Sequence, residues 1–288
     1  MNRPMLHFIK TTLEETLTEE EKYSRFIEVA EKEISPEELA EVIKYIKEKQ
    51  SIIIDLPNSL DICGTWGSSL PRINTSTLTA IQLAKKWMKV TKHGNNASSG
   101  RFGSFDLIET LWYKVWETSQ EIIKEYNEKN IAFLHAKKLY PFFKEFSEIR
   151  KKYEKPTIFN IIWPLLCPAN SDFQMIWCSF EDKMQLMIET SRILWRKNVI
   201  VLRWEDWLDE VTLTWKTKIL ELRDRKIKEY SISPENLGFE KCWIKEIMAE
   251  KIEDKIKIAK KIIAWVCETK HKNLVDINTK VALNFINN

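Results

Sequence analysis

The feature that most constrains this chain is the clustering of its few glycines. Five of the six lie within residues 59–110, at Gly64, Gly67, Gly94, Gly100 and Gly103. Ser, Thr and Asn crowd around them in two clusters, which flank a helix-like run at 77–87 and a strand-like run at 88–92. Such clusters expose backbone N–H groups and hydroxyls, which suit phosphate oxygens at a turn or a helix N-terminus. Two polar surface loops are the alternative, but their pairing around one βα unit favours phosphate binding.

Composition and charge exclude several classes of protein. The chain has 288 residues, enough to bury a full core, and its net charge of +3 includes no basic block typical of a nucleic-acid partner. Apolar runs such as 51–56 are far shorter than a membrane span, and the N-terminus lacks a signal-peptide pattern. Its five cysteines have no metal-binding spacing. We therefore expect a cytoplasmic protein with reduced thiols and neither a nucleic-acid nor a membrane partner.

Helical and strand-like patterns follow one another in an order that predicts an α/β fold. Residues 12–50 have helical patterning, with N-terminal signals at 18–21 and 35–38. From residue 156 onward the chain alternates between strand-like runs and a helix-like stretch at 183–194. The strand-like runs are 157–162, 174–180, 198–203, 216–222 and 226–232.

We predict a small all-helical N-terminal domain and a larger α/β domain with a central, mainly parallel sheet. The small domain spans residues 1–58 and is completed by 117–147. Residues 59–116 and 148–288 form the α/β domain, and we expect the active site in the cleft between the two.

Three charged features could carry chemistry. Asp209 and Glu210 follow a predicted strand, where adjacent carboxylates can hold Mg²⁺, although acid pairs are also common on surfaces. Lys92 and His93 end another predicted strand beside a glycine, which favours contact with an anion. Arg150 has a planar fork that suits a carboxylate ligand, and a surface charge is its alternative.

Several motifs together resemble one enzyme family. DICGTWGS at 61–68, NTST at 74–77 and KHGN at 92–95 are followed by Ser99, Gly103-Ser104, Asp106, Arg150, TIFN at 157–160, Pro164-Leu165, Pro168-Ala169 and Asp209-Glu210. In this order and spacing they resemble anthranilate phosphoribosyltransferase, and the resemblance extends from about Thr18 to Leu283. Pyrimidine nucleoside phosphorylases share the fold but use a different first loop, which contains lysine and serine.

The resemblance implies a role for each matching residue. The 5-phosphoribosyl 1-pyrophosphate site is implied to contain Gly64, Thr65, Gly67, Asn74, Ser76, Thr77, Lys92 and Ser104. Mg²⁺ is implied to bind Asp209 and Glu210, together with Ser76. Anthranilate is implied to bind Asn95, Arg150 and Pro164, with His93 nearby. No residue is assigned as a catalytic acid or base.

The implied activity is a Mg²⁺-dependent pentosyl transfer in tryptophan biosynthesis, by a protein that can form a homodimer. It converts 5-phosphoribosyl 1-pyrophosphate and anthranilate into N-(5-phosphoribosyl)anthranilate and pyrophosphate. A phosphoribosyltransferase or nucleoside phosphorylase of the same fold with another acceptor is one alternative. A non-catalytic binding module is the other.

Tryptophan replaces glycine in a uniform way. Nine of the twelve tryptophans stand where the family has glycine: Trp66, Trp87, Trp112, Trp163, Trp177, Trp195, Trp204, Trp207 and Trp215. Average usage predicts about 20 glycines in this length, against the 6 present. A decayed enzyme would carry mixed replacements. We therefore predict UGA codons at these positions, written as Trp here and read as Gly in the source organism. Ser68, which replaces a family Asp, is not explained in this way.

Overall fold

The computed structural model describes residues 3–65, 70–94, 102–153, 155–204, 210–266 and 269–287. In this part of the chain the α-helices are α1 Pro4–Glu14, α2 Glu19–Ala30, α3 Pro36–Glu48, α4 Thr75–Lys85, α5 Ser104–Thr110, α6 Ser119–Lys129, α7 Ala136–Leu139, α8 Ser147–Tyr153, α9 Phe159–Leu166, α10 Glu181–Ile193, α11 Ile252–Ile263 and α12 Lys270–Asn287. The strands are β1 Leu60–Gly64, β2 Val90–Gly94, β3 Ile131–His135, β4 Phe173–Trp177, β5 Asn198–Trp204, β6 Thr217–Arg223 and β7 Lys226–Ile232. Short 3₁₀ helices cover Pro141–Phe146, Pro234–Leu237 and Ile244–Ile247.

All seven strands form one sheet in the order β3-β2-β1-β4-β5-β6-β7. The strands from β3 to β5 are parallel, and β6 and β7 add an antiparallel hairpin at one edge. This confirms the predicted α/β class with a mainly parallel sheet. Strand order reverses at β1, whose neighbours are β2 on one side and β4 on the other. In open parallel sheets, ligands bind beyond the carboxyl ends of the strands at such a reversal.

Alternating side chains place a hydrophobic core on each face of the sheet. In β1, Leu60 and Ile62 face the core that also contains Ala80 and Ile81 of α4. Cys63 belongs to the opposite core, which contains residues of α3, α9 and α10. Asp61 therefore points toward the α9 face, although it is fully buried within an apolar strand. The buried Asp61 carboxylate forms hydrogen bonds with side chains that also contact α9.

The helix starts predicted from sequence are present. Thr18 and Glu21 form a reciprocal capping box at the start of α2. The Ser35 hydroxyl accepts a hydrogen bond from the Glu38 N–H, and Pro36 occupies the first position of α3. The apolar stripe of α3 is fully buried and packs against α9 and α10.

Two segments differ from the sequence-based expectation. The predicted strand at 157–162 is wrong, because this segment begins α9, where the Asn160 Oδ1 accepts a hydrogen bond from the Thr157 N–H. Conversely, Ile131–His135 forms a strand, after Asn130 ends α6 in the left-handed conformation (φ 60°). The segment 117–147 therefore supplies the edge strand of the sheet as well as a 3₁₀ turn that packs on α1. The division into two domains stays a prediction.

Four helices end in the same backbone motif with a tryptophan in the left-handed position. Trp87, Trp112, Trp195 and Trp265 follow α4, α5, α10 and α11, with φ between 58° and 65°. At each end the Trp N–H and the next N–H bond back to two carbonyls of the last turn, which is the Schellman motif. Gly238 closes the same pair of hydrogen bonds after the turn Pro234–Leu237, with φ 75°.

The backbone conformation at these four helix ends favours glycine, because a left-handed backbone brings any Cβ too close to neighbouring backbone atoms. Trp265 is not among the nine tryptophans identified from the family pattern, yet it has the same geometry. Trp163, Trp177 and Trp204 differ, because they are buried in the cores and lie outside the left-handed region. Trp66 and Trp207 lie outside the described residues.

Candidate active site

Thr65 ties together three elements at the reversal of strand order. It follows Gly64 at the end of β1 and is fully buried. Its Oγ1 accepts a hydrogen bond from the Ser179 N–H, beyond β4, at 2.9 Å. Its carbonyl accepts one from the Asn160 Nδ2 of α9 at 3.0 Å. These two hydrogen bonds therefore fix the position of the residue at which the loop after β1 begins. Gly67, another predicted site residue, lies outside the described residues.

The N-terminus of α4 carries buried oxygens that have no partner in the described chain. They are Asn74 Oδ1, Thr75 Oγ1 and Thr77 Oγ1. A buried polar atom left without a hydrogen bond costs about 1–3 kcal/mol, which a ligand can recover. The positive end of the helix dipole also favours an anion at this end. Ser76 lies in the same turn and is partly exposed. The predicted phosphate-binding residues Asn74, Ser76 and Thr77 therefore all lie at the N-terminus of α4.

Lys92 and Ser104 converge at the end of the neighbouring strand. Lys92 is 1% exposed, and its Nζ donates a hydrogen bond to the His93 carbonyl at 3.0 Å. A Cβ on Gly94 would lie 3.0 Å from Ser104 Oγ and 3.7 Å from Lys92 Nζ, so glycine allows α5 to approach here. Burial lowers the pKa of Lys92. No ion pair joins Lys92 to a carboxylate among the described residues, so an anionic ligand would balance its charge.

Of the predicted metal-binding pair Asp209 and Glu210, only Glu210 is among the described residues. Asp209 lies outside the described residues, whereas Glu210 is 4% exposed and forms an ion pair with Arg72, with Nε and Oε1 2.9 Å apart. Arg72 lies three residues before α4 begins at Thr75, so this contact joins Glu210 to the segment that leads into α4. The Glu210 carboxylate and the Ser76 hydroxyl are oxygen donors of the kind that Mg²⁺ prefers. The donor chemistry at this end of α4 therefore fits the ion. Arg72 was missed from sequence, because an isolated arginine carries no pattern.

Of the predicted acceptor residues, Arg150 and Pro164 lie on neighbouring helices. Arg150 is half-buried in α8, and burial lowers its pKa. No carboxylate pairs with it in the part of the chain that the structure describes, which leaves its guanidinium suited to an anionic ligand. Pro164 is buried in α9, and its carbonyl accepts a hydrogen bond from Gln174 Nε2 at 2.7 Å. Asn95 lies outside the described residues.

His93 lies in a buried network between the sheet and α9. Its side chain is 2% exposed, with Nδ1 2.8 Å from Asp61 Oδ1 and Nε2 3.1 Å from the Trp163 carbonyl. Its contact with an acceptor stays a prediction. Burial alone would raise the pKa of Asp61, but the charges of His93 and Lys92 and the hydrogen bonds from His93 and Gln174 hold it below its ordinary value.

Three side chains of this network also meet the spacing of a metal cluster. One ligand atom from each of Asp61, Cys63 and His93 lies within 4.8 Å of the others. However, burial raises the pKa of the Cys63 thiol, which opposes the thiolate that a metal requires. Asp61 and His93 are already bonded to each other. The cluster is therefore best described as a hydrogen-bond network. A polar residue on an inward position of an apolar strand, such as Asp61, was the sequence signal available for it.

Comparison with known proteins agrees with this architecture. A family described as "Glycosyl transferase family, a/b domain" matches residues 56–287. The anthranilate phosphoribosyltransferase of Dictyoglomus thermophilum is 32% identical over 250 residues, which are 86% of this chain and 74% of the relative. The enzyme of that name from Bacillus cereus strain G9842 is 31% identical over 272 residues, which are 94% of this chain and 80% of the relative.

Solved structures share the fold. Anthranilate phosphoribosyltransferase from Thermus thermophilus has a TM-score of 0.82 at 22% identity, over 97% of this chain and 89% of that one. The Saccharomyces cerevisiae enzyme in complex with PRPP and Mg has a TM-score of 0.83 at 21% identity, over 99% of this chain and 84% of that one. The solved structures show the fold, and the family match with the sequence relatives shows that the chain belongs to the glycosyl transferase family, within the group of the anthranilate phosphoribosyltransferases.

Proposed function

We propose that this protein transfers the phosphoribosyl group of 5-phosphoribosyl 1-pyrophosphate to the amine of anthranilate, in tryptophan biosynthesis. The products are N-(5-phosphoribosyl)anthranilate and pyrophosphate. The observation that carries the proposal is the start of α4, where buried oxygens without partners meet a helix N-terminus beside the Arg72–Glu210 pair. Lys92, buried at the end of the adjacent parallel strand, supports it with a cation.

The residues at this end of the sheet act on the leaving group. As the bond between C1 and the pyrophosphate oxygen breaks, positive charge develops on the ribose and negative charge on the pyrophosphate. Lys92 and the N–H groups and hydroxyls at the start of α4 stabilise that negative charge as it forms. Mg²⁺, held by Asp209, Glu210 and Ser76, supplies further charge compensation on the pyrophosphate when bound.

The acceptor side works mainly by orientation. Arg150 binds the anthranilate carboxylate, and Asn95 and Pro164 complete the pocket. The amine nitrogen attacks C1 and then loses a proton, so holding the nitrogen in line with C1 provides much of the rate acceleration. No side chain is assigned to remove that proton.

We also propose dependence on Mg²⁺, a homodimer and a cytoplasmic location. The donor chemistry at Glu210 and Ser76 supports the first of these. Within the described residues no helix combines the length and the apolar content needed to cross a bilayer. Size-exclusion chromatography with light scattering tests the dimer.

Turnover of anthranilate tests the activity directly. The protein, expressed with glycine at the predicted UGA positions, is given 5-phosphoribosyl 1-pyrophosphate and Mg²⁺, and loss of anthranilate fluorescence is followed. We expect turnover that stops when the metal is chelated. Phosphorolysis of a nucleoside in its place would select the related phosphorylase activity. No binding of 5-phosphoribosyl 1-pyrophosphate by calorimetry would select a non-catalytic protein.

Arg150→Ala separates the two substrates in the same assay. Because Arg150 is proposed to hold only the acceptor carboxylate, we expect the KM for anthranilate to rise at least about tenfold. The KM for 5-phosphoribosyl 1-pyrophosphate should stay within about twofold of the parent value. Equal losses for both substrates would contradict the assignment of Arg150 to the acceptor.

A further inference from the structure

We propose that the buried Asp61–His93 pair is a positioning device that fixes the C-terminal end of α9, and with it the acceptor side of the active site. The inference deepens the proposed transferase function and rests on it for its catalytic consequence. Asp61 and His93 here act through α9 on the acceptor, without touching the reacting atoms.

The last four carbonyls of α9 all have side-chain partners from other elements. A helix leaves its last four carbonyls without partners of its own, so a buried helix end needs outside donors. His93 Nε2 faces Trp163 O at 3.1 Å, and Gln174 Nε2 donates to Pro164 O at 2.7 Å. Arg196 donates to Leu165 O and Leu166 O at 3.2 and 3.3 Å. Beyond the helix, Lys47 donates to Cys167 O at 3.3 Å. The position of the last turn of α9 is therefore set by the contacts from His93, Gln174 and Arg196.

His93 connects Asp61 to α9 through its two ring nitrogens. Its Nδ1 faces a carboxylate oxygen of Asp61 and its Nε2 faces the backbone carbonyl of Trp163, and both partners are acceptors. Both side chains are fully or almost fully buried, at 2% and 0% exposure. Water cannot replace either contact.

The Asp61 carboxylate is itself held in place by hydrogen bonds from two further side chains. Its Oδ1 also accepts a hydrogen bond from Thr91 Oγ1, at 3.2 Å, and its Oδ2 accepts one from Gln174 Nε2, at 2.9 Å. Gln174 thus contacts both Asp61 and the Pro164 carbonyl. The carboxylate therefore joins two of the donors that hold α9.

The other end of α9 connects to the phosphate side. Asn160 Nδ2 donates to the carbonyl of Thr65, which starts the loop after β1. The helix is thus anchored at the phosphate loop by its first turn and at the end of β2 by its last. Pro164, proposed to face the acceptor, lies in the half that His93 holds. A shift of this half should therefore weaken acceptor binding more than binding of the phosphate substrate.

Two substitutions of His93 test the contact with α9. An Asn amide can replace the Nδ1 donor to Asp61, whereas a Gln amide can reach the position of Nε2 and keep the hydrogen bond to Trp163. We expect His93→Asn to raise the KM for anthranilate at least about tenfold, and His93→Gln to raise it at least about threefold less than His93→Asn does. In both variants the KM for 5-phosphoribosyl 1-pyrophosphate should stay within about twofold.

Lys47→Met is the matched control. It removes a donor from the next carbonyl along, Cys167 O, so it should lower the Tm while leaving the anthranilate KM unchanged. If His93→Asn, His93→Gln and Lys47→Met all lower the Tm and none changes the anthranilate KM, His93 is structural only and the inference is wrong, although the proposed function stands.

The position of α9 gives a readout that does not need activity. A crystal structure of His93→Asn should show the Trp163 carbonyl displaced, whereas His93→Gln should keep it in place. An unmoved α9 in His93→Asn would overturn the inference even if anthranilate is turned over. A displaced α9 in a protein without anthranilate turnover would retain the α9 anchor and reject the proposed function.

Discussion

The tryptophans at helix ends show how one residue can conflict with the backbone that carries it. Trp87 is 83% exposed at φ 65°, so its indole buries little surface that could offset the strain of the left-handed conformation. A non-glycine residue in that conformation costs about 1–2 kcal/mol. If all four positions are glycine in the natural protein, that single fact explains why the backbone is left-handed at each of them.

We therefore expect Trp87→Gly to stabilise the tryptophan-containing protein relative to Trp243→Gly, a matched change at another exposed tryptophan. Trp243 is equally exposed, at 81%, but has φ −76°. We expect Trp87→Gly to have a free energy of unfolding about 1–2 kcal/mol higher than Trp243→Gly, because only the first change relieves a left-handed side chain. Urea unfolding of the two variants measures this, and equal values would contradict it.

Trp265 extends the codon prediction beyond the family pattern. Its φ of 58° and its Schellman hydrogen bonds match those of Trp87, Trp112 and Trp195. We expect peptides of the natural protein to contain glycine at all four positions. Mass spectrometry of the peptide that spans residue 265 decides the matter, and a tryptophan there would limit the recoding to other sites or exclude it.

His135 gives stability a defined dependence on pH. Burial, with lesser effects from Lys138 and Lys137, lowers its pKa from 6.5 to about 4. As the pH falls through this window, the unfolded chain takes up a proton that the folded chain excludes, so stability decreases from about pH 6.5 to about pH 4. His135→Gln should reduce this decrease without abolishing it, because burial also lowers the pKa of His271 from 6.5 and so contributes in the same direction. Urea midpoints at pH 7 and pH 5 test it, and an unchanged slope would contradict it.

At the scale of elements, the sequence predicts what depends on local pattern. The caps of α2 and α3, the strands β5, β6 and β7 and the helix α10 all follow from residue spacing, and each is confirmed. Helix α9 does not follow, because residues 157–162 are rich in β-branched and aromatic side chains that favour strands. Its helical state depends on donors more than 25 residues away in sequence, from β2 and from Arg196, which a local window cannot contain.

Arg196 should be the donor on which α9 depends most for stability. It binds two of the last four carbonyls, which are buried. Arg196→Met should lower the free energy of unfolding by about 1–3 kcal/mol, because those carbonyls lose a donor that water cannot replace. Lys197→Met is the control, since the exposed Lys197 side chain has, among the described residues, only an ion pair with Asp172, and its loss should change stability by less than about 1 kcal/mol. Equal effects of the two changes would contradict the role of Arg196.

At the scale of the whole molecule, the sheet brings distant loops to one edge. The segment 59–110 indicated a phosphate site because its glycines, hydroxyls and Lys92 are close in sequence. Arg72 and the Asp61–Gln174 contacts could not be predicted, because they arise only where strand order reverses and α9 covers the sheet. The sequence is therefore sufficient to propose the local chemistry of the site, whereas the residues that orient these side chains could be identified only from the fold.

The central claim is that the start of α4 binds the pyrophosphate of 5-phosphoribosyl 1-pyrophosphate, with Mg²⁺ at Glu210. A crystal structure of the glycine-containing protein with this substrate and Mg²⁺ tests it most directly. We predict phosphate oxygens within hydrogen-bonding distance of Asn74, Thr75 and Thr77, and a metal ion bound to Glu210 in place of its Arg72 partner. Substrate bound elsewhere, or an Arg72–Glu210 pair left intact beside an empty helix start, would contradict the account.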